Sequence, residues 1–275
     1  MAAPQSTLTA VPPPTPTPTP TPGKPRKLPP NLEVWLVTIV LMVASALVGT
    51  RNKPSGRYWI VGLLIMCAFV LYLGKWICGR PLGILVTERN LMSLSRLQMI
   101  LWTLVILSAY LTMVMQRIHA GVSDPLNLAM EWRLWALMGI STASLVGSPL
   151  LLQSKKSQDP PPATVDKAAQ VLQEDKASIQ ENRQGRLYSN TDPKDARFTD
   201  IFEGDDVGNT AYIDPAKLQM FLFTLVVAGS YGYQIFRVMS NAHSAGDLAM
   251  PPVSDGMVAL LGISHAGYLG SKTVS

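Results

Sequence analysis

The side chains that could do chemistry in this sequence are few, and most of them lie inside long apolar runs. His265 sits in the run 256–271, and an ionisable residue within an apolar segment of membrane length is a candidate for proton or ligand binding. One neutral imidazole can equally hydrogen-bond across a helix interface and do nothing more. Gln98 and Gln219 each stand two residues after a basic side chain, Arg96 and Lys217, about one turn inside an apolar run. Thr103 and Thr224, then Tyr110 and Tyr231, follow them at matching separations. These seven residues could border a pathway for a polar solute. The plainer reading is headgroup anchoring beside capped helix starts, the caps being Ser93 or Ser95 before the first run and Asp214 followed by Pro215 before the second.

Other combinations point away from catalysis. Glu203, Asp205, Asp206, Asn209 and Asp214 form an acidic cluster, but the spacing does not match a calcium loop, which needs oxygen ligands at set intervals. A turn-forming loop that caps the next helix is expected instead. Cys67 and Cys78 are eleven positions apart in one apolar run, about 16 Å along a helix, so they neither pair within it nor share a metal. No phosphate loop, dinucleotide fingerprint, paired-histidine zinc helix or nucleophile elbow occurs. The expectation is no enzyme, no metal and no cofactor.

The elements that carry these residues follow from hydropathy. Of 275 residues 48% are hydrophobic and 15% charged, with a mean hydropathy of +0.21, against about 25% charged in soluble domains. The net charge of +5 comes mostly from residues flanking apolar runs, where they set topology and meet anionic headgroups. Without an interleaved aromatic and basic groove, nucleic acid is not an expected partner. Six candidate spans emerge at about Leu32–Gly49, Tyr58–Ile77, Leu94–Met115, Leu134–Leu152, Ala216–Met239 and Gly256–Ser271. A bilayer core needs about 20 helical residues, and the last run is short for it. Residues 1–30 are a Pro/Thr-rich tail, most regular from Pro14 to Pro22, of extended polyproline character. Residues 31–80 form a first hairpin, 94–152 a second and 216–275 a third. The polar stretch 153–215 is expected to be a linker. Within it Val165, Ala168, Leu172 and Ile179 suggest a short amphipathic helix, or one strand of a small coiled coil.

Basic residues near the span ends favour an inside N-terminus. Lys24, Arg26, Lys27, Lys75, Arg80, Arg89, Arg96, Lys155, Lys156, Lys217 and Lys272 then face the cytoplasm. Arg51, Lys53, Arg57, Arg117, Arg133 and Arg237 face outward, the 51–57 loop running against the rule.

The last four spans read as a duplication. RLQMILWTLVILSAYLTMVM (96–115) and KLQMFLFTLVVAGSYGYQIF (217–236) are identical at eight of twenty positions. LWALMGISTASLVGS (134–148) and MVALLGISHAGYLGS (257–271) agree at eight of fifteen. Copies with an even number of spans point the same way, so the expected architecture is all-α, with two parallel tandem αα-hairpin repeats about an axis along the membrane normal. Gly139, Ala143 and Gly147 recur as Gly262, Ala266 and Gly270. Such a stripe of small residues permits close helix approach in lipid, so the two helices are expected to meet each other, a protein partner or a second copy through it.

The segments RFTDIFEGDDVGNTAYIDPAKLQMFLFTLVV and LLGISHAGYLGSK resemble those of an uncharacterised family of bacterial polytopic membrane proteins. The resemblance covers about the last 80 residues. It implies a bacterial cytoplasmic membrane and carries no activity. Two functional expectations remain: a non-enzymatic anchor or assembly subunit that recruits partners through its polar loop and tail, or a channel or transporter built on the hairpins.

Overall fold

The structure, a computed structural model, describes residues 32–48 and 54–274. The Pro/Thr-rich tail and residues 49–53 lie outside the described residues. Among the described residues are eight α-helices: α1 (Leu32–Val48), α2 (Gly56–Cys78), α3 (Leu94–His119), α4 (Trp132–Lys156), α5 (Pro162–Leu172), α6 (Lys176–Glu181), α7 (Pro215–Asn241) and α8 (Asp255–Val274). By length and composition α2, α3, α4 and α7 can each cross a membrane. The apolar part of α1 narrows to Val34–Ala44. α8 has 20 residues, but its glycines, Ser264 and His265 dilute its hydropathy.

Local chemistry sets the helix starts. Asp214 caps α7, its Oδ1 accepting from the N–H groups of Ala216 (2.9 Å) and Lys217 (3.3 Å), with Pro215 in the first helical position. At α3 the cap is Ser93, which accepts from the Arg96 N–H. Ser95 is instead buried, and its hydroxyl donates to Tyr268 Oη (3.1 Å).

The long helices close around α3. Trp102 has no exposed surface, and its ring lies 6.3 Å from that of Tyr231 on α7. Met113 of α3, Leu134 and Leu137 of α4, Ile235 and Met239 of α7 and Leu261 of α8 fill the same core. α2 rides across α3 and α7 on Trp59, whose Nε1–H donates to Ser108 Oγ (2.9 Å). A side chain at Gly232 would meet the Trp59 ring at 3.2 Å, so this crossing depends on a glycine.

α4 and α8 pack together, as α3 and α7 do, yet the α4–α8 seam is not the expected stripe of small residues. Gly139, Ala143, Ala266 and Gly270 are exposed. Gly147 and Gly262 reach only the edge, where an added Cβ would stand 3.5 Å from Leu269 and 3.9 Å from Ile140. The seam is made by buried Ser141, Ser144 and Ser148 of α4 against Ser264, His265 and Tyr268 of α8. Residues at i, i+3 and i+7 share a helix face. Two polar pairs cross the seam, Ser144 Oγ with His265 Nδ1 (2.6 Å) and Ser148 Oγ with Tyr268 Oη (3.2 Å), and they draw this face of α4 toward α8. Glycine and alanine lose nothing by facing outward.

The 153–215 stretch is folded rather than a plain linker. α5 buries Val165, Ala168 and Ala169, but Gln173 adopts a left-handed conformation (φ 56°) that ends it. Ile179 therefore belongs to α6, and both helices close on Val207 of the acidic loop. The apolar stripe serves a small core within the chain, not a coiled-coil strand. Two short strands, β1 (Arg183–Gln184) and β2 (Leu187–Tyr188), turn at Gly185 (φ 62°). A Cβ at Gly185 would lie 2.3 Å from the Lys156 carbonyl oxygen, and the Arg186 N–H donates to the Lys155 carbonyl (3.0 Å). The hairpin is thus pressed onto the end of α4, and the stretch forms a cap over the helix ends.

Two measurements check this description. The protein should stay with the membrane pellet through an alkaline carbonate wash; release into the supernatant contradicts it. In detergent, Trp102→Ala should lose about 3–5 kcal/mol of unfolding stability, while exposed Leu150→Ala should change it by less than about 0.5 kcal/mol.

Candidate functional site

The acidic loop between β2 and α7 places two adjacent carboxylates back to back. Asp205 is bound by Arg89 (Nη2–Oδ1 2.5 Å), by Lys217 (3.4 Å) and by Lys272. Asp206 faces Lys155 and Arg186, each at 3.3 Å. All but Arg186 of these side chains are nearly or fully buried.

Each participant is held by its own element. Arg89 lies in the loop after α2, where the Val86–Met92 bridge and the left-handed Asn90 (φ 57°) shape a tight turn. Arg89 and Asn90 also exchange hydrogen bonds with Asn190, and Arg89 Nη1 donates to the carbonyls of Tyr188 and Asp205. Lys217 sits in the first turn of α7 and donates also to the Glu203 carbonyl. Lys272 ends α8, lying 4.6 Å above the Tyr268 ring. Asn209 orients the loop by accepting from the Asp206 N–H (2.9 Å). Its side chain occupies the space where any Cβ at Gly204 would go, 2.1 Å away.

Burial pushes the Asp205 carboxyl upward, but Lys272, Lys217 and Arg89 outweigh that and hold it well below the usual carboxylate range. Asp200 goes the other way. Burial raises its pKa although its carboxylate accepts from the N–H groups of Met92 (3.1 Å) and Arg197 (2.9 Å). Lys156, bonded to Glu88, holds that carboxyl below its ordinary value.

A cavity of about 520 Å³ opens beside the cluster, between the cap and helices α3, α4 and α8. Its lining carries Arg89, Asp205, Lys217 and Lys272 of the cluster together with apolar side chains, among them Met99 and Ile100 of α3 and Leu145 and Leu152 of α4. A second cavity of about 360 Å³ lies within the cap, lined by Glu174, Tyr188, Arg197, Asp200 and Glu203 among others. Among the described residues no group of three or more His, Cys, Asp or Glu is arranged to hold a metal.

The seven polar residues singled out in the sequence do not form one path. Gln98 and Thr224 meet across α3 and α7, Nε2 to Oγ1 at 2.5 Å. Gln219 is exposed, and Thr103 donates to the Met99 carbonyl of its own helix (2.8 Å). Tyr110 and Tyr231 lie toward the opposite end, donating to the carbonyls of Leu126 (3.1 Å) and Pro251 (3.2 Å). His265 Nδ1 and Ser144 Oγ are 2.6 Å apart in the α4–α8 seam. None of the seven lines either cavity.

Sequence reasoning missed the Asp205 cluster. Arg89, Lys155, Lys217 and Lys272 read as basic residues at inner span ends, and Asp205 as a residue of a turn. Arg89 is 116 residues from Asp205, Lys272 is 67 away, and Lys155 is 51 from Asp206. The available signal was Lys and Arg at four separate span ends opposite a run of acidic residues.

Fold and site define a mostly helical protein with four apolar helices of membrane-spanning length and a folded polar cap held to their ends by buried ions. A scan against protein-family models matches none, and comparisons with the curated proteins and the solved structures find no match.

Removing the central carboxylate leaves three cations with no counter-charge. Asp205→Asn should therefore lose about 3–5 kcal/mol of stability, read from denaturant unfolding in detergent. A carboxyl whose folded pKa is lowered adds stability that is complete above its unfolded value, about 3.9, and fades as pH falls below it. The gap between the native protein and Asp205→Asn should be flat from pH 8 to about 5 and shrink below about pH 4.

Proposed function

We propose that this chain is a non-enzymatic integral membrane anchor or assembly subunit that presents its polar cap to a protein partner at the inner face of a bacterial cytoplasmic membrane. The observation that carries this reading is that the 153–215 stretch has its own small core and is clamped to three helix ends, so the surface it offers is rigid. Lys167 and Gln170 lie exposed on α5, while Asp166 pairs with Lys176 of α6 (2.8 Å) and Glu174 accepts from Ser178 of α6 (3.2 Å), fixing α5 against its neighbour. A preformed surface spares a partner the ordering cost of a loose loop.

In this reading α1 and α8 complete six spans, with the N-terminus and the cap in the cytoplasm. The basic residues that gather at the cap end support that orientation. The last four long helices are two parallel copies of one hairpin. Support comes from the pairing of corresponding helices, α3 with α7 and α4 with α8, and from Tyr110 and Tyr231, each donating to the outer loop of its own hairpin. The exposed Gly139, Ala143, Ala266 and Gly270 leave a surface suited to close contact with another membrane helix. The channel alternative has less behind it, because its candidate residues are dispersed and the centre of the bundle is filled by Trp102, Tyr231 and their neighbours.

The test is affinity capture of the full chain from its native membranes. Replacing Lys167 and Gln170 by Ala, which leaves the α5–α6 bonds of Asp166 and Glu174 in place, should remove a specific co-purifying protein at least tenfold while membrane retention is unchanged. Unaltered capture, or solute flux through purified protein in liposomes that falls with Gln98→Leu and Gln219→Leu, overturns the proposal.

A further inference from the structure

We propose that the cavity beside Asp205 is a binding site for an anionic amphiphile, a lipid whose phosphate headgroup meets the basic wall while an acyl chain lies along the apolar one. This goes beyond the anchoring role, although it shares with it the Asp205 cluster that clamps the cap.

The first observation is charge. Arg89, Arg96, Lys156, Lys217 and Lys272 border the cavity, against the carboxylates Glu88, Asp200, Glu203 and Asp205. Most of that negative charge is already committed. Glu88 is bonded to Lys156, Asp200 accepts two backbone N–H groups, and Asp205 alone serves Arg89, Lys217 and Lys272. Three buried cations on one carboxylate leave a local excess of positive charge. Uncompensated charge out of water is costly, and an anion placed there relieves it. Phosphate suits this set, because lysine and arginine both donate charge-assisted hydrogen bonds to its oxygens.

The second observation is the division of the cavity. The cations come from the loop after α2 and from the ends of α3, α4, α7 and α8, the level of a headgroup, while Met99, Ile100, Leu145 and Leu152 continue along α3 and α4 into their apolar lengths. A free phosphate has no use for that wall; an acyl chain does. The volume of about 520 Å³ falls within the range of about 300–1,000 Å³ usual for small-molecule sites.

The experiment uses the full chain purified in a neutral detergent, with thermal unfolding followed on addition of phosphatidylglycerol, phosphatidylcholine or inorganic phosphate. Phosphatidylglycerol should raise Tm by about 5 °C, with little shift from the other two. Arg96→Gln combined with Lys156→Gln leaves the Asp205 cluster intact and should weaken the phosphatidylglycerol effect at least tenfold in concentration. Leu145→Trp, which fills the apolar wall, should do the same without touching a charge. If the double variant fails to fold, Leu145→Trp carries the comparison. An equal shift from phosphatidylcholine, a matching shift from inorganic phosphate, or an undiminished phosphatidylglycerol effect in Leu145→Trp overturns the proposal.

Discussion

One buried carboxylate holds three separate parts of this chain in register. Asp205 draws together Arg89 from the loop after α2, Lys217 from the start of α7 and Lys272 from the end of α8. Its neighbour Asp206 adds the end of α4 through Lys155, and the β1–β2 hairpin through Arg186. Charges taken out of water gain nothing unless they are paired with good geometry, so the cap can seat itself in few ways. The hairpin at Gly185 and the loop at Gly204 follow from that seating, since each passes where a Cβ would collide with its neighbour. The cavity of about 520 Å³ lies where the cap meets the ends of α3, α4 and α8.

Away from the cap, polar groups again decide which helix faces meet. The α4–α8 seam runs over serines, His265 and Tyr268, and Tyr268 Oη is shared between Ser95 of α3 and Ser148 of α4. Gln98 reaches Thr224 and the Met220 carbonyl across the α3–α7 contact. In an apolar surrounding these groups lack water as an alternative partner, so the pairs Ser144–His265, Ser148–Tyr268 and Gln98–Thr224 weigh on which faces meet. That leaves the Gly139 and Gly270 sides outward, on a surface free for another helix.

Several particulars were legible from residue order. Asp214 followed by Pro215 marked the α7 cap, and a serine just before the third apolar run marked that of α3. Val165, Ala168 and Leu172 marked α5, although Gln173 breaks the stripe before Ile179. The stripe of small residues led to the expectation that α4 and α8 meet each other, a protein partner or a second copy; the two do pack together, but over serines. Gln98 is buried and bonded to Thr224 while Gln219, at the matching place on α7, is exposed.

What the sequence by itself determined is the set of long apolar helices, their caps and the polar character of the stretch between α4 and α7. These depend on neighbours a few positions apart, through hydropathy, capping and turn chemistry. Only the tertiary structure decided that the acidic loop is a buried ion centre, that the polar stretch is a cap, and that serines rather than glycines form the α4–α8 seam. A charge pair has the same signature in a sequence whether its members lie in solvent or beneath a cap. The distinction comes from burial, which is a property of the packed chain.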